Sequence, residues 1–163
     1  MNVERLERAH RRLPALDVDV VGRGVGVEHD GSRRLAARDR GAAPALDHET
    51  SDSLATVEAR VADGLAKQYV GLSETDALAA DEGMLFVHDE TGEHAYVMRG
   101  MAFGLEIVFV APDGTVTRIH EAEPESRPHT RYHGTGRYVL EVPRGWSERN
   151  GVDPGDRLVF DLD

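Results

Sequence analysis

The stretch from Gly83 to Gly114, GMLFVHDETGEHAYVMRGMAFGLEIVFVAPDG, carries three apolar runs of strand length between two glycine-containing turn signals. The last run, LEIVFV at 105–110, is apolar at nearly every position, which predicts a central strand buried on both faces. Residues 84–88 and 95–98 predict two further strands, joined as a hairpin through Glu90-Thr91-Gly92-Glu93 with the glycine where positive φ is needed.

The rest of the chain repeats this alternation of short strands and turns. Residues 56–62 place Val57, Ala59 and Val61 on one face and Glu58 and Arg60 on the other, the period of a half-buried strand. Asp63 can then cap a short helical stretch in which Leu65, Tyr69 and Leu72 recur. Residues 115–120 return after the Pro112-Asp113-Gly114 turn, and Pro124 and Pro128 interrupt pairing. Another alternating strand spans 137–142, with Tyr138, Leu140 and Val142 opposite Val139 and Glu141. A helical turn over 145–150 should end at Gly151, before Asp153-Pro154-Gly155-Asp156 turns into a last strand at 157–161. Upstream, Leu6 and Leu13 suit a short amphipathic helix ended by Pro14, and the Val- and Gly-rich residues 16–30 suit irregular strands. Residues 38–53 read as a polar connection. Many short strands with almost no helix predict an all-β domain, closed as a barrel or sandwiched. At 163 residues, one core is expected, over 51–163, with 1–50 as an N-terminal extension packing on it.

Charge narrows the partners. A net charge of -11 opposes phosphate backbones and anionic membrane surfaces, so neither nucleic acid nor membrane is expected. Lys67 is the only lysine, and such an acidic, lysine-poor surface points to a protein dispersed in concentrated salt; the alternative is an acidic protein from an arginine-biased genome. Without cysteine, disulfides, thiolate chemistry and Cys-based metal sites are excluded. The charged N-terminus offers no apolar export signal, which predicts a soluble, cytoplasmic chain. The GRGVG at 22–26 lacks the third glycine of a dinucleotide fingerprint, and no cofactor is expected.

The 83–114 stretch resembles the core signature of the domain of unknown function 192 family, which reads roughly GMLFVF, then FWMKNT, then PLDIIFI and an acidic glycine turn. The resemblance covers residues 57–161, about two-thirds of the chain. It implies a compact jelly-roll-like barrel with one or two short helices on its rim, and no assigned activity. Arg99 stands where the family has lysine, Gly100 and Met101 replace its Asn and Thr, and Glu106 stands at its Asp position.

These residues supply the candidate site. A guanidinium at a strand end beside glycine can hold a carboxylate or phosphate, so Arg99 and Glu106 could flank a ligand. A structural ion pair between them is the simpler expectation. A carboxylate within an apolar strand must find a donor, shift its pKa upward or face a solvated cavity. Tyr96 and Met98 complete a ligand-binding rim, although aromatic residues such as Phe103, Tyr132 and Trp146 more often build core. The expected function is a small binding or accessory module holding a saccharide or an anion at that rim. One alternative is a hydrolase or metal-assisted enzyme with Glu106 and His120 as acid and base. A metal would need His88, His94 and His120 to converge with Glu121 or Glu123, against the simpler expectation of scattered surface histidines. The other alternative is a structural subunit, and the sequence leaves the oligomeric state open.

Overall fold

The computed structural model describes residues 14–23, 52–64, 71–73 and 76–162. The amphipathic helix expected at Leu6 and Leu13, most of the 16–30 and 38–53 segments, and the helical stretch through Leu65 and Tyr69 lie outside them. The chain forms β1 (Ala15–Val21), β2 (Ser53–Ala62), β3 (Glu82–Tyr96), β4 (Leu105–Val110), β5 (Val116–Ala122), β6 (Tyr132–Pro143), helix α1 (Trp146–Asn150) and β7 (Arg157–Val159). These seven strands make one sheet in the order β5-β4-β6-β3-β2-β1-β7. The stretch read as an extension therefore supplies β1, which pairs with both β2 and β7. β2 and β3 run parallel, and the other neighbours antiparallel.

The sheet curls into a half-barrel, as the mainly-β expectation requires. Its two edges meet where Thr115 bridges Arg157, Val116 N–H donates to the Asp156 carbonyl, and Leu158 N–H donates to the Gly114 carbonyl. Gly114 permits this seam, because its φ is 91° and a Cβ there would overlap the Leu158 carbonyl oxygen. Alternate residues line the inside: Val18, Val57, Leu85, Val108, Leu140 and Val142 pack in one core with Trp146. Each such fully buried side chain contributes about 1.5–3 kcal/mol. Among the described residues, no helix is long and apolar enough to cross a membrane.

β4 is buried at all six positions, as its composition predicts, but it lies one strand from the sheet edge. Its outer face is covered because β3 and β6 are long enough to serve two layers. The hairpin expected around Gly92 is absent: residues 82–96 form one continuous strand paired along β6. Between Val87↔Tyr138 and Gly92↔Gly136, residues 88–91 stand opposite Arg137 alone. This bulge turns a corner, as bulges do where a strand passes between layers. Beyond the corner the β3–β6 ribbon bends back across β4 and β5. Thr117 Oγ1 donates to the Thr135 carbonyl over 2.7 Å, and His120 Nε2 lies 2.7 Å from the His133 carbonyl. At Gly134 a Cβ would overlap the Phe109 ring, so only glycine allows this approach. A second core fills the gap, with Met84, Phe86, Met98, Leu105, Ile107, Phe109 and Val139 buried and Tyr96 and Tyr132 at its margin.

Candidate site in the outer layer

Glu106 points into the inner core, at the level where β4 pairs with Val142 of β6. It is 1% exposed. Its Oε1 accepts hydrogen bonds from Gly145 N–H at 3.1 Å and Ser147 Oγ at 3.0 Å, and its Oε2 accepts one from Ser147 N–H at 2.9 Å. The carboxylate thus anchors the start of α1 and holds Trp146 in the core, where its cost of burial is met by backbone and hydroxyl donors. Arg99 lies on the exposed turn that follows buried Met98. The donors to Glu106 are therefore on α1, and the cation weighed from the sequence sits on a different segment.

The histidines separate into two places. His88 and His94 stack across the β3 bulge, with ring centroids 3.6 Å apart and planes 8° from parallel. His88 Nε2 meets the Tyr96 hydroxyl at 2.7 Å, while His94 Nε2 is buried with no hydrogen-bond partner among the described residues. Burial first, and then the neighbouring His94, lower the His88 pKa, with Asp89 partly opposing them. Parallel rings do not aim their lone pairs at one point. His120 lies further along, its ring 5.9 Å from Phe109 and 5.5 Å from Tyr132. Glu121 and Glu123 both pair with Arg144. Among the described residues, no group of three or more His, Cys, Asp or Glu side chains is placed to hold a metal ion.

The carboxyl that stands out is Glu141. It occupies β6 opposite Met84 of β3 and Ile107 of β4, both buried in the outer layer. It is 6% exposed, and the one fully buried side-chain nitrogen or oxygen without a hydrogen-bond partner among the described residues is His94 Nε2, so the Glu141 carboxyl keeps some contact with solvent. Burial pushes its pKa from 4.5 up to about 8. Tyr96 shares the layer: burial, and after it the charge of Glu141, raise the phenol far above its ordinary value. Edge-to-face contacts link Tyr96 to Phe86 at 5.2 Å and to Phe109 at 5.8 Å. The arrangement is an apolar, aromatic-walled layer holding one proton-bearing carboxyl and one phenol tied to a neutral imidazole.

Sequence reasoning placed Glu141 with Val139 on the face opposite Tyr138, Leu140 and Val142 and said nothing of what covers that face. A usable signal was present. If β4 is apolar on both faces, the strand beside it is covered on both faces as well, and a glutamate there is buried.

The family model named DUF192 and described as an uncharacterized ACR matches residues 46–160, well over half of the sequence. The chain belongs to the DUF192 family. No curated protein matches it. Among solved structures, it is similar to a Sinorhizobium meliloti 1021 protein provisionally described as a transcription regulator, at TM-score 0.70 and 24% identity, covering 91% of this chain and 95% of that one. It is also similar to a protein of unknown function from Novosphingobium aromaticivorans, at TM-score 0.67 and 23% identity, covering 90% and 86%. At these identities, the likeness speaks for the DUF192 fold alone.

Proposed function

We propose that this protein is a small-ligand binding module whose site lies in the outer layer beside Tyr96 and Met98, with Glu141 as its polar anchor. One observation carries the reading: a carboxyl group only 6% exposed is retained among the apolar residues of the outer layer. A carboxyl in such surroundings is held in its neutral form, and a ligand hydroxyl could hydrogen-bond to it. Kept protonated by its surroundings, the carboxyl both donates and accepts a hydrogen bond, the complement of a saccharide hydroxyl. It can donate to a small anion as well. The aromatic wall formed by Tyr96 suits the apolar face of a sugar ring.

The enzyme alternative is less well supported, since the oxygens of Glu106 are taken up by α1 and His120 Nε2 by the His133 carbonyl. The regulator description of the Sinorhizobium protein invites a nucleic-acid partner, but a net charge of -11 opposes contact with phosphates. The acidic, lysine-poor composition supports a cytoplasm of high salt as the working environment.

Thermal shift in molar KCl near neutral pH, with a panel of saccharides and small carboxylates, tests the reading. A compound that raises the midpoint of the wild type and leaves Glu141→Leu unmoved supports it. If no member of the panel shifts the wild type, or the same compound shifts both proteins equally, the site is wrongly placed.

A further inference from the structure

The two edges of the sheet meet where Thr115 bridges Arg157, and the contact is short. Leu158 N–H still donates to the Gly114 carbonyl, and just beyond it Phe160 sets its ring against Tyr138 of β6. The two rings stand edge to face, with centroids 5.0 Å apart and planes at 88°. Both pack on the inner core and are only partly buried.

A cavity of about 380 Å³ lies at this seam. Tyr138, Leu158, Val159 and Phe160 supply its apolar walls, and Val159 is 51% exposed, the most open large hydrophobic side chain of the described residues. The charged lining is one residue of each sign, Asp113 and Arg157. Each is directed at backbone: Arg157 Nε donates to the Asp113 carbonyl at 3.0 Å, and Asp113 Oδ1 accepts from Thr115 N–H at 2.9 Å. Thr115, first through its backbone and then through its side chain, holds the Asp113 carboxyl below its ordinary value, so it is ionised at neutral pH. The guanidinium is ionised at any working pH. Arg137 stands outside the lining, its guanidinium carbon 5.8 Å from the Tyr138 ring centroid and its Nε donating to the His88 carbonyl. Small-molecule sites run from about 300 to 1,000 Å³ and pair apolar walls with a few polar groups that orient the ligand.

We propose that the seam cavity binds a free α-amino acid with an apolar side chain, its carboxylate toward Arg157, its ammonium toward Asp113 and its side chain against Tyr138, Val159 and Phe160. A ligand with a single charge is attracted by one of the two residues and repelled by the other. A zwitterion is attracted by both. Being neutral overall, it is also not turned away by a protein of net charge -11, as a simple anion would be. The seam is separate from the outer layer, so this site stands or falls independently of the one built on Glu141.

Titration of isotopically labelled protein with phenylalanine, phenethylamine and phenylpropionate, followed by amide chemical shifts at the lowest salt that keeps the chain folded, tests this. The three share one ring and differ only in charge. Phenylalanine should bind roughly two- to fivefold more tightly than either analogue, the factor expected of one exposed ion pair. The shifts should centre on Asp113, Gly114 and Val159. Asp113→Asn, which keeps an acceptor for the Thr115 N–H, should abolish the advantage over phenylpropionate without weakening phenylpropionate itself. Arg157→Gln should abolish the advantage over phenethylamine and spare phenethylamine. Val159→Ala, at an exposed position that the fold tolerates, should weaken all three probes. An analogue that binds as tightly as phenylalanine, an equal loss of all three in Asp113→Asn, shifts centred away from the seam, or no shift at all would overturn the proposal.

Discussion

Replacing Glu141 by glutamine should make the protein more stable, and increasingly so as pH rises. In the folded chain, burial raises the Glu141 pKa from 4.5 to about 8. Between those values the folded state keeps a proton that the unfolded state releases. The unfolded chain binds fewer protons in that window, so stability falls as pH rises from 4.5 toward 8 and levels off above it. At about 1.4 kcal/mol per pH unit, the loss across the window is about 5 kcal/mol, and about two-thirds of it has occurred by neutral pH. Glutamine has nearly the same shape and never ionises. Wild type and Glu141→Gln should therefore coincide below pH 4.5 and diverge steadily until about pH 8. Urea unfolding at constant KCl measures this without altering ionic strength, and Trp146, the only tryptophan and buried in the inner core, reports the transition by fluorescence. Two stability curves that run parallel over the whole range would show that Glu141 is solvated or paired, and the case for the outer-layer site would go with it.

Three further outcomes are expected. Glu106→Ala removes the acceptor for Gly145 and Ser147, so it should destabilise the chain by about 2–4 kcal/mol, with faster hydrogen exchange at the Ser147 amide while the strand amides of β1 and β2 keep their relative order. Gly134→Ala forces a methyl into the Phe109 ring and should cost about 1–3 kcal/mol; adding Phe109→Leu should cost less in this background than in the wild type, and additive losses would contradict the close packing of the two layers. The acidic, lysine-poor surface predicts a melting midpoint that climbs with KCl concentration well past the point where ordinary screening is complete, and a flat profile would refute the high-salt reading.

Much of the inner layer was legible because burial there follows the period of a strand. Val57 and Ala59 in β2, and Tyr138, Leu140 and Val142 in β6, face inward as their alternation requires, and Val61 is buried as well. The apolar hexapeptide of β4 was equally plain. The bulge in β3 was not, because residues 88–91 are polar and 89–91 exposed, the same signature a hairpin loop would carry. Only the partner strand distinguishes them, and its first half, Tyr132 to Gly136, reads as loop. Glu106 was recognisable as a buried carboxylate in need of donors. Its donors are on Gly145 and Ser147, where two of the three are backbone N–H groups that no side-chain pattern reveals. Glu141 escaped notice for a related reason: alternation tells which side a residue faces and not whether a folded-back ribbon covers that side.

The two-layered use of β6 has a consequence for how firmly the site is placed. Its consecutive residues Val139, Leu140, Glu141 and Val142 serve the outer and inner cores by turns. Sliding the strand by a single position would thrust the carboxyl among the valines of the barrel and push leucine and valine side chains outward, so both layers would lose their fit at once. The proton-bearing group is thus fixed in place by the full weight of two hydrophobic interiors.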